Sequence, residues 1–197
     1  MTKRSLKKPR KIPKRADALA ALRTALTKRK KAELVDLVVG FAAANSAVAR
    51  RLELQFGVET PSNELVAATR DAIDAATDFD ERQINYNFDY DYAAYELVKR
   101  NFGRLIKDGC FPAAMELSLQ LMKDGSYQVE MSDEGMMTDD IEQCLEVAIK
   151  ALAKCDLPAG DVVAWCDEML TRDRNGYICD AELRALKARF ERRSNPK

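Results

Sequence analysis

Apolar residues recur along this chain at intervals of three and four, and little interrupts them. Leu34, Leu37, Val38 and Phe41 stand at i, i+3, i+4 and i+7, which places all four on one face of an α-helix. The same spacing returns in Leu19-Leu22-Leu26, Leu65-Thr69-Ile73-Ala76, Tyr95-Val98-Phe102-Leu105 and Ile141-Leu145-Ala148-Leu152-Cys155. It closes the chain in Val162-Trp165-Cys166-Met169 and Leu183-Leu186-Phe190. Eight Gly and six Pro in 197 residues leave few turn residues, which favours long helices over a turn-rich β fold. The expected fold is all-α, about nine helices packed as hairpins in an α-solenoid-like (HEAT- or tetratricopeptide-like) domain.

The remaining punctuation fits that reading. Asn45 is a helix stop, and Ala47 to Phe56 reads as a third helix. Thr60 before Pro61 gives a capping hydroxyl and a first-turn proline. Leu105-Ile106-Lys107-Asp108-Gly109 and Leu121-Met122-Lys123-Asp124-Gly125 repeat one pattern sixteen residues apart. Each Gly is placed for a left-handed cap just past a helix end, with Pro112 opening the helix between them. That is an αα-hairpin, the unit of helical solenoids. Residues 126–137 read as a loop, Thr138 or Asp139 caps the next helix, and Pro158 opens another. Tyr86 to Tyr92 alternates rings with Asn87, Asp89 and Asp91, a period of two that allows a short extended segment.

Charge is divided unevenly. Residues 1–31 hold thirteen Lys or Arg and one acid, Asp17, a net of +12. Residues 32–197 hold the other nineteen bases and thirty-one acids, a net of −12. Such halves point to an interaction tail, or to a tail that folds back on its own body. Residues 1–15 carry eight bases and two prolines and almost nothing to bury, so they are expected to be a disordered basic arm. The domain is then 16–192, with a flexible C-terminus over 193–197.

Histidine is absent. That removes Ser-His-Asp and Cys-His catalysis and Cys₂His₂ zinc sites. There is no GxxxxGK[ST], GxGxxG or HExxH. The five cysteines, at 110, 144, 155, 166 and 179, are odd in number and include no CxxC pair. Reduced thiols are the simpler reading, with Cys144, Cys155 and Cys166 buried on core faces, in a cytoplasmic (or nuclear) compartment, and no cofactor is expected. The longest apolar run, Leu37 to Ala44, is eight residues, far short of a membrane span. The basic start leads into Ala16-Asp17-Ala18 rather than an apolar stretch, so no signal peptide is expected. Pro9 and Pro13 break the amphipathic helix a mitochondrial presequence needs.

Three constellations are candidate sites. Lys3, Arg4, Lys7, Lys8, Arg10, Lys11, Lys14 and Arg15 can neutralise nucleic-acid phosphates as point charges, giving salt-sensitive, sequence-independent binding. They equally fit a nuclear-import signal, contact with anionic lipid, or a merely solubilising tail. No aromatic is interleaved, so stacking on single strands is not supported. Second, residues 171–182 match part of a calcium-binding EF-hand loop. Asp173, Asn175, Gly176, Ile178 and Glu182 fall at loop positions three, five, six, eight and twelve. Asp173, Asn175 and Glu182 would be the metal ligands, but Thr171 stands where an Asp belongs and Arg172 and Arg174 add positive charge. An ordinary helix–loop–helix turn, with Gly176 left-handed, is the plainer reading. Third, Tyr86, Asp89, Tyr90, Asp91, Tyr92 and Tyr95 form a binding patch or, more plainly, half-buried rings at a helix start with acids capping it.

The stretch from Lys31-Ala32-Glu33-Leu34-Val35-Asp36-Leu37 through Arg51-Leu52-Glu53-Leu54, with Tyr90-Asp91-Tyr92-Ala93-Ala94-Tyr95 and Leu105 to Gly109, resembles the helical segment of bacterial SWIM zinc-finger family proteins. The resemblance covers residues 28 to 190. The chain lacks the Cys and His residues of the finger, so no metal or DNA-binding role of that finger carries over. The resemblance implies an α-solenoid-like accessory domain. Together these features lead to the expectation of a non-enzymatic binding or scaffold protein. Its helical body would take a protein partner, and its arm nucleic acid or another polyanion.

Overall fold

The computed structural model describes residues 15–56, 64–82, 90–132 and 138–194. Among them are nine α-helices and no strand: α1 (Arg15–Leu26), α2 (Lys31–Ala44), α3 (Ser46–Phe56), α4 (Leu65–Thr77), α5 (Tyr92–Lys107), α6 (Phe111–Glu130), α7 (Asp139–Leu152), α8 (Ala159–Arg172) and α9 (Asp180–Ser194). They fall into two compact units, Met1–Asn45 and Ser46–Lys197. The boundary is Asn45, whose extended backbone (φ −145°, ψ 110°) ends α2 as the sequence anticipates.

In the second unit, consecutive helices pack as hairpins, α4 with α5, α6 with α7 and α8 with α9. Cross-contacts of α5 on α7, α4 on α6 and α6 on α8 then join the hairpins around one core. Every stripe read from the sequence of this unit is buried, from Leu65 and Ile73 on α4 to Leu183 and Phe190 on α9. Removing that apolar surface from water is the main force holding the helices together. Trp165 is in this core, and its indole N–H donates to the Met115 carbonyl at 3.0 Å, which satisfies its one polar atom.

Four expectations are corrected. Gly109 does cap α5 with a left-handed backbone (φ +76°), but Gly125 lies inside α6, which runs on to Glu130. The same five-letter pattern ends one helix and not the other because α7 comes so close to Gly125. A Cβ there would lie 3.0 Å from Ile141 Cδ1, so this Gly serves close packing, and the loop read from 126 begins only after Glu130. Tyr92 opens α5 rather than continuing an extended segment. Arg15 opens α1, because Ala16 to Ala20 are helix formers with no break before them. α9 reaches Ser194, where Arg192 and Arg193 suit the negative end of the helix dipole. The start signal at Thr60-Pro61, the acids Asp133 and Glu134 and the rings before Tyr90 lie outside the described residues.

The first unit is different in kind. α1 and α2 are joined across Lys28-Arg29-Lys30, and they do not pack closely along their length. No residue of α2 is buried. Leu19, Leu22, Val35, Leu37, Val38, Val39 and Phe41 are all exposed, seven of the eleven exposed large apolar side chains among the described residues. Within this unit, then, the apolar stripe read from Leu34 to Phe41 is left largely uncovered.

Candidate functional site

Of the eight candidate phosphate contacts, Lys3, Arg4, Lys7, Lys8, Arg10, Lys11 and Lys14 lie outside the described residues, and Arg15 is the first residue of α1. The cluster continues into the structure as Lys28, Arg29, Lys30 and Lys31, all exposed at the α1–α2 turn. Glu33 faces this turn, accepting from the Lys30 backbone N–H at 3.4 Å.

The loop from Thr171 to Glu182 does contain a sharp left-handed turn, with Gly176 at φ +75° and Cys179 at φ +53°. Its polar groups are engaged by the protein itself. Asp173 is only 8 % exposed. Its Oδ1 accepts from the Asn175 N–H at 3.0 Å, and its Oδ2 accepts from the Ile178 N–H at 2.8 Å. Asn175 Nδ2 donates to the Ser126 carbonyl at 2.9 Å, while Ser126 Oγ donates to the Arg172 carbonyl at 3.0 Å. Arg174 pairs with Glu130 at 2.7 Å and lies over the Tyr127 ring, 4.6 Å from its centre. These contacts fasten the loop to α6. Glu182 is exposed in the first turn of α9. Among the described residues no group of three or more His, Cys, Asp or Glu gathers to hold a metal.

The Tyr–Asp patch becomes one wall of an open groove of about 1060 Å³ between α3, α4 and the start of α5. Arg51, Gln55, Asp78, Tyr90, Tyr92 and Glu96 line it. Here the capping reading holds: Asp91 accepts from the Ala94 N–H at 3.0 Å and starts α5. Tyr90 is half-buried, donates to Asp140 Oδ2 at 2.7 Å and meets Tyr95 edge-on at 5.8 Å. Burial and that carboxylate push its hydroxyl pKa up to about 12. Tyr92 donates to Glu96 at 3.2 Å, and the Glu96 charge likewise raises its pKa. Both hydroxyls are thus held protonated, as donors rather than bases. Deeper in, Tyr95 donates to Gln128 Oε1 at 2.8 Å, and Gln128 Nε2 donates to the Ala76 carbonyl at 3.4 Å, tying α5, α6 and α4 together.

Sequence reasoning missed Arg51 and Asp78 as groove residues, and the pairing of Asp140 with Tyr90. Tyr90 and Asp140 are fifty residues apart, and no local spacing announces such a pair. The thiols are legible: Cys144, Cys155, Cys166 and Cys179 are buried and Cys110 is exposed. Burial pushes Cys144, Cys166 and Cys179 up to about 12, so they remain protonated core groups. No helix among the described residues is long and apolar enough to cross a membrane. No family model, no curated protein and no solved structure matches this chain.

Proposed function

We propose that this protein is a non-enzymatic helical scaffold whose basic N-terminal segment contacts nucleic acid or another polyanion, while its helical body takes a protein partner. The observation that carries this reading is the division of charge, +12 over residues 1–31 against −12 over the rest. Lys3, Arg4, Lys7, Lys8, Arg10, Lys11, Lys14 and Arg15 would act on phosphates, with Lys28 to Lys31 extending the field from the α1–α2 turn. The groove beside α5 is the body's candidate partner surface. Its carboxylates Asp78 and Glu96 and its tyrosine rings suit a basic, partly apolar peptide segment.

The test is binding of a fluorescently labelled DNA or RNA duplex to the intact chain and to a chain shortened to begin at Ala16. The account expects the shortened chain to lose most of its affinity at low salt. Equal affinity for the two chains would remove residues 1–15 from the interface.

A further inference from the structure

We infer that the exposed apolar face of α1 and α2 is a self-association surface, covered by the same face of a second copy of this chain. Three observations on this unit support a second copy as the occupant.

The first is area. On the seam that carries Leu34, the side chains of Leu37, Val38 and Phe41, together with Leu19 and Leu22 of α1, are 42–60 % exposed; they present on the order of 450 Å² per chain, or on the order of 900 Å² over two copies, the size of a weak, concentration-dependent interface. α2 reads Leu-Val-Val-Gly-Phe-Ala-Ala-Ala from Leu37 to Ala44, with no polar side chain in its last eight residues. A helix apolar on so much of its circumference is ordinarily buried.

The second is shape. Between α1 and α2 lies a notch of about 300 Å³, lined by Leu19, Leu22, Arg23, Leu26, Thr27 and Leu34. Phe41, 59 % exposed, follows Leu34 by seven residues on the same helix face, about 10 Å along α2. In an antiparallel pair of α2 helices with the two-fold axis near Val38, each Phe41 is carried to the partner's Leu34 and its notch. The surface is then its own complement, and the contact closes at two copies.

The third is charge. The tips Lys28-Arg29-Lys30-Lys31 carry four cations each, and a parallel pairing would bring them together. The antiparallel pairing puts them at opposite ends of the bundle, where like charges no longer meet.

The experiment is hydrogen exchange on the intact wild-type chain, read over residues 34–44 at 1 µM and at 200 µM, beside sedimentation equilibrium over the same range. The expected result is protection of this segment that grows with concentration, together with a monomer–dimer transition. Protection equal at both concentrations with a monomer throughout means that the chain covers the face itself, and overturns the proposal. Absence of protection at either concentration overturns it as well. In a second arm, Val38→Asp with Phe41→Asp is expected to weaken the dimer more than tenfold while the exchange of α4 to α9 is unchanged. A dimer of unaltered affinity would likewise refute the interface.

Discussion

Two glycines in helices show how one residue type takes its meaning from its neighbours. Gly103 on α5 is exposed, with nothing within 4 Å of where a Cβ would stand, whereas Gly125 on α6 is buried with Ile141 at 3.0 Å from that point. Gly103→Ala is therefore expected to stabilise the protein by about 0.5–1 kcal/mol, by reducing the freedom of the unfolded chain and raising helix propensity. Gly125→Leu is expected to cost about 2 kcal/mol, because Ile141 is itself fully buried and has little room to yield. Urea denaturation of both variants checks the pair, and two shifts of the same sign would contradict this packing. Asp173 is a second such residue. Asp173→Ala would strip two backbone N–H groups of their acceptor, that of Ile178 in a buried position. A loss of about 1–3 kcal/mol in the same measurement is expected. An unchanged midpoint would mean that the loop does not depend on this carboxylate.

At the scale of elements, what was legible in the sequence is what is local. Helical period is set by residues three and four apart, so the faces of α4, α5, α7, α8 and α9 could be read directly and are buried as read. Asn45, Gly109 and Pro158 act where they stand, at a stop, a left-handed cap and a helix start. At Gly125 the reading missed because a distant element decided the outcome. Gly125 follows Lys-Asp just as Gly109 does, and the approach of Ile141 from α7 makes it part of a helix interior. The groove was half legible for the same reason. Tyr90 to Tyr95 marked one wall, but Arg51 and Asp78 arrive from α3 and the end of α4, and Asp140 holds Tyr90 from α7. The stripe on α1 and α2 was also legible, but periodicity states only that a face is apolar. It does not name what covers it.

At the scale of the molecule, buried acids of high pKa set the response to alkali. The thiols of Cys144, Cys166 and Cys179 ionise near 9 when unfolded and near 12 when folded, and Tyr90 goes from 10 to about 12. Each raised pKa contributes stability that is complete below the unfolded value and is lost as pH climbs toward the folded one. The urea midpoint is thus expected to be insensitive to these groups up to about pH 8.5 and to fall between pH 9 and 12. A midpoint that rises across that window would contradict the burial of these groups. At pH 8 one thiol of the five, Cys110, should react promptly with a thiol reagent, and the other four only on unfolding. Prompt reaction of two or more would place another cysteine at the surface.

The charge division is the other whole-molecule property, and the central claim rests on it. The most direct test is the salt dependence of duplex DNA affinity, measured by fluorescence anisotropy for the intact chain and for the chain beginning at Ala16. If all eight bases of residues 1–15 meet phosphates, the slope of log affinity against log salt should steepen by about 7 relative to the shortened chain. Equal slopes for the two chains would contradict the assignment of this segment to a polyanion.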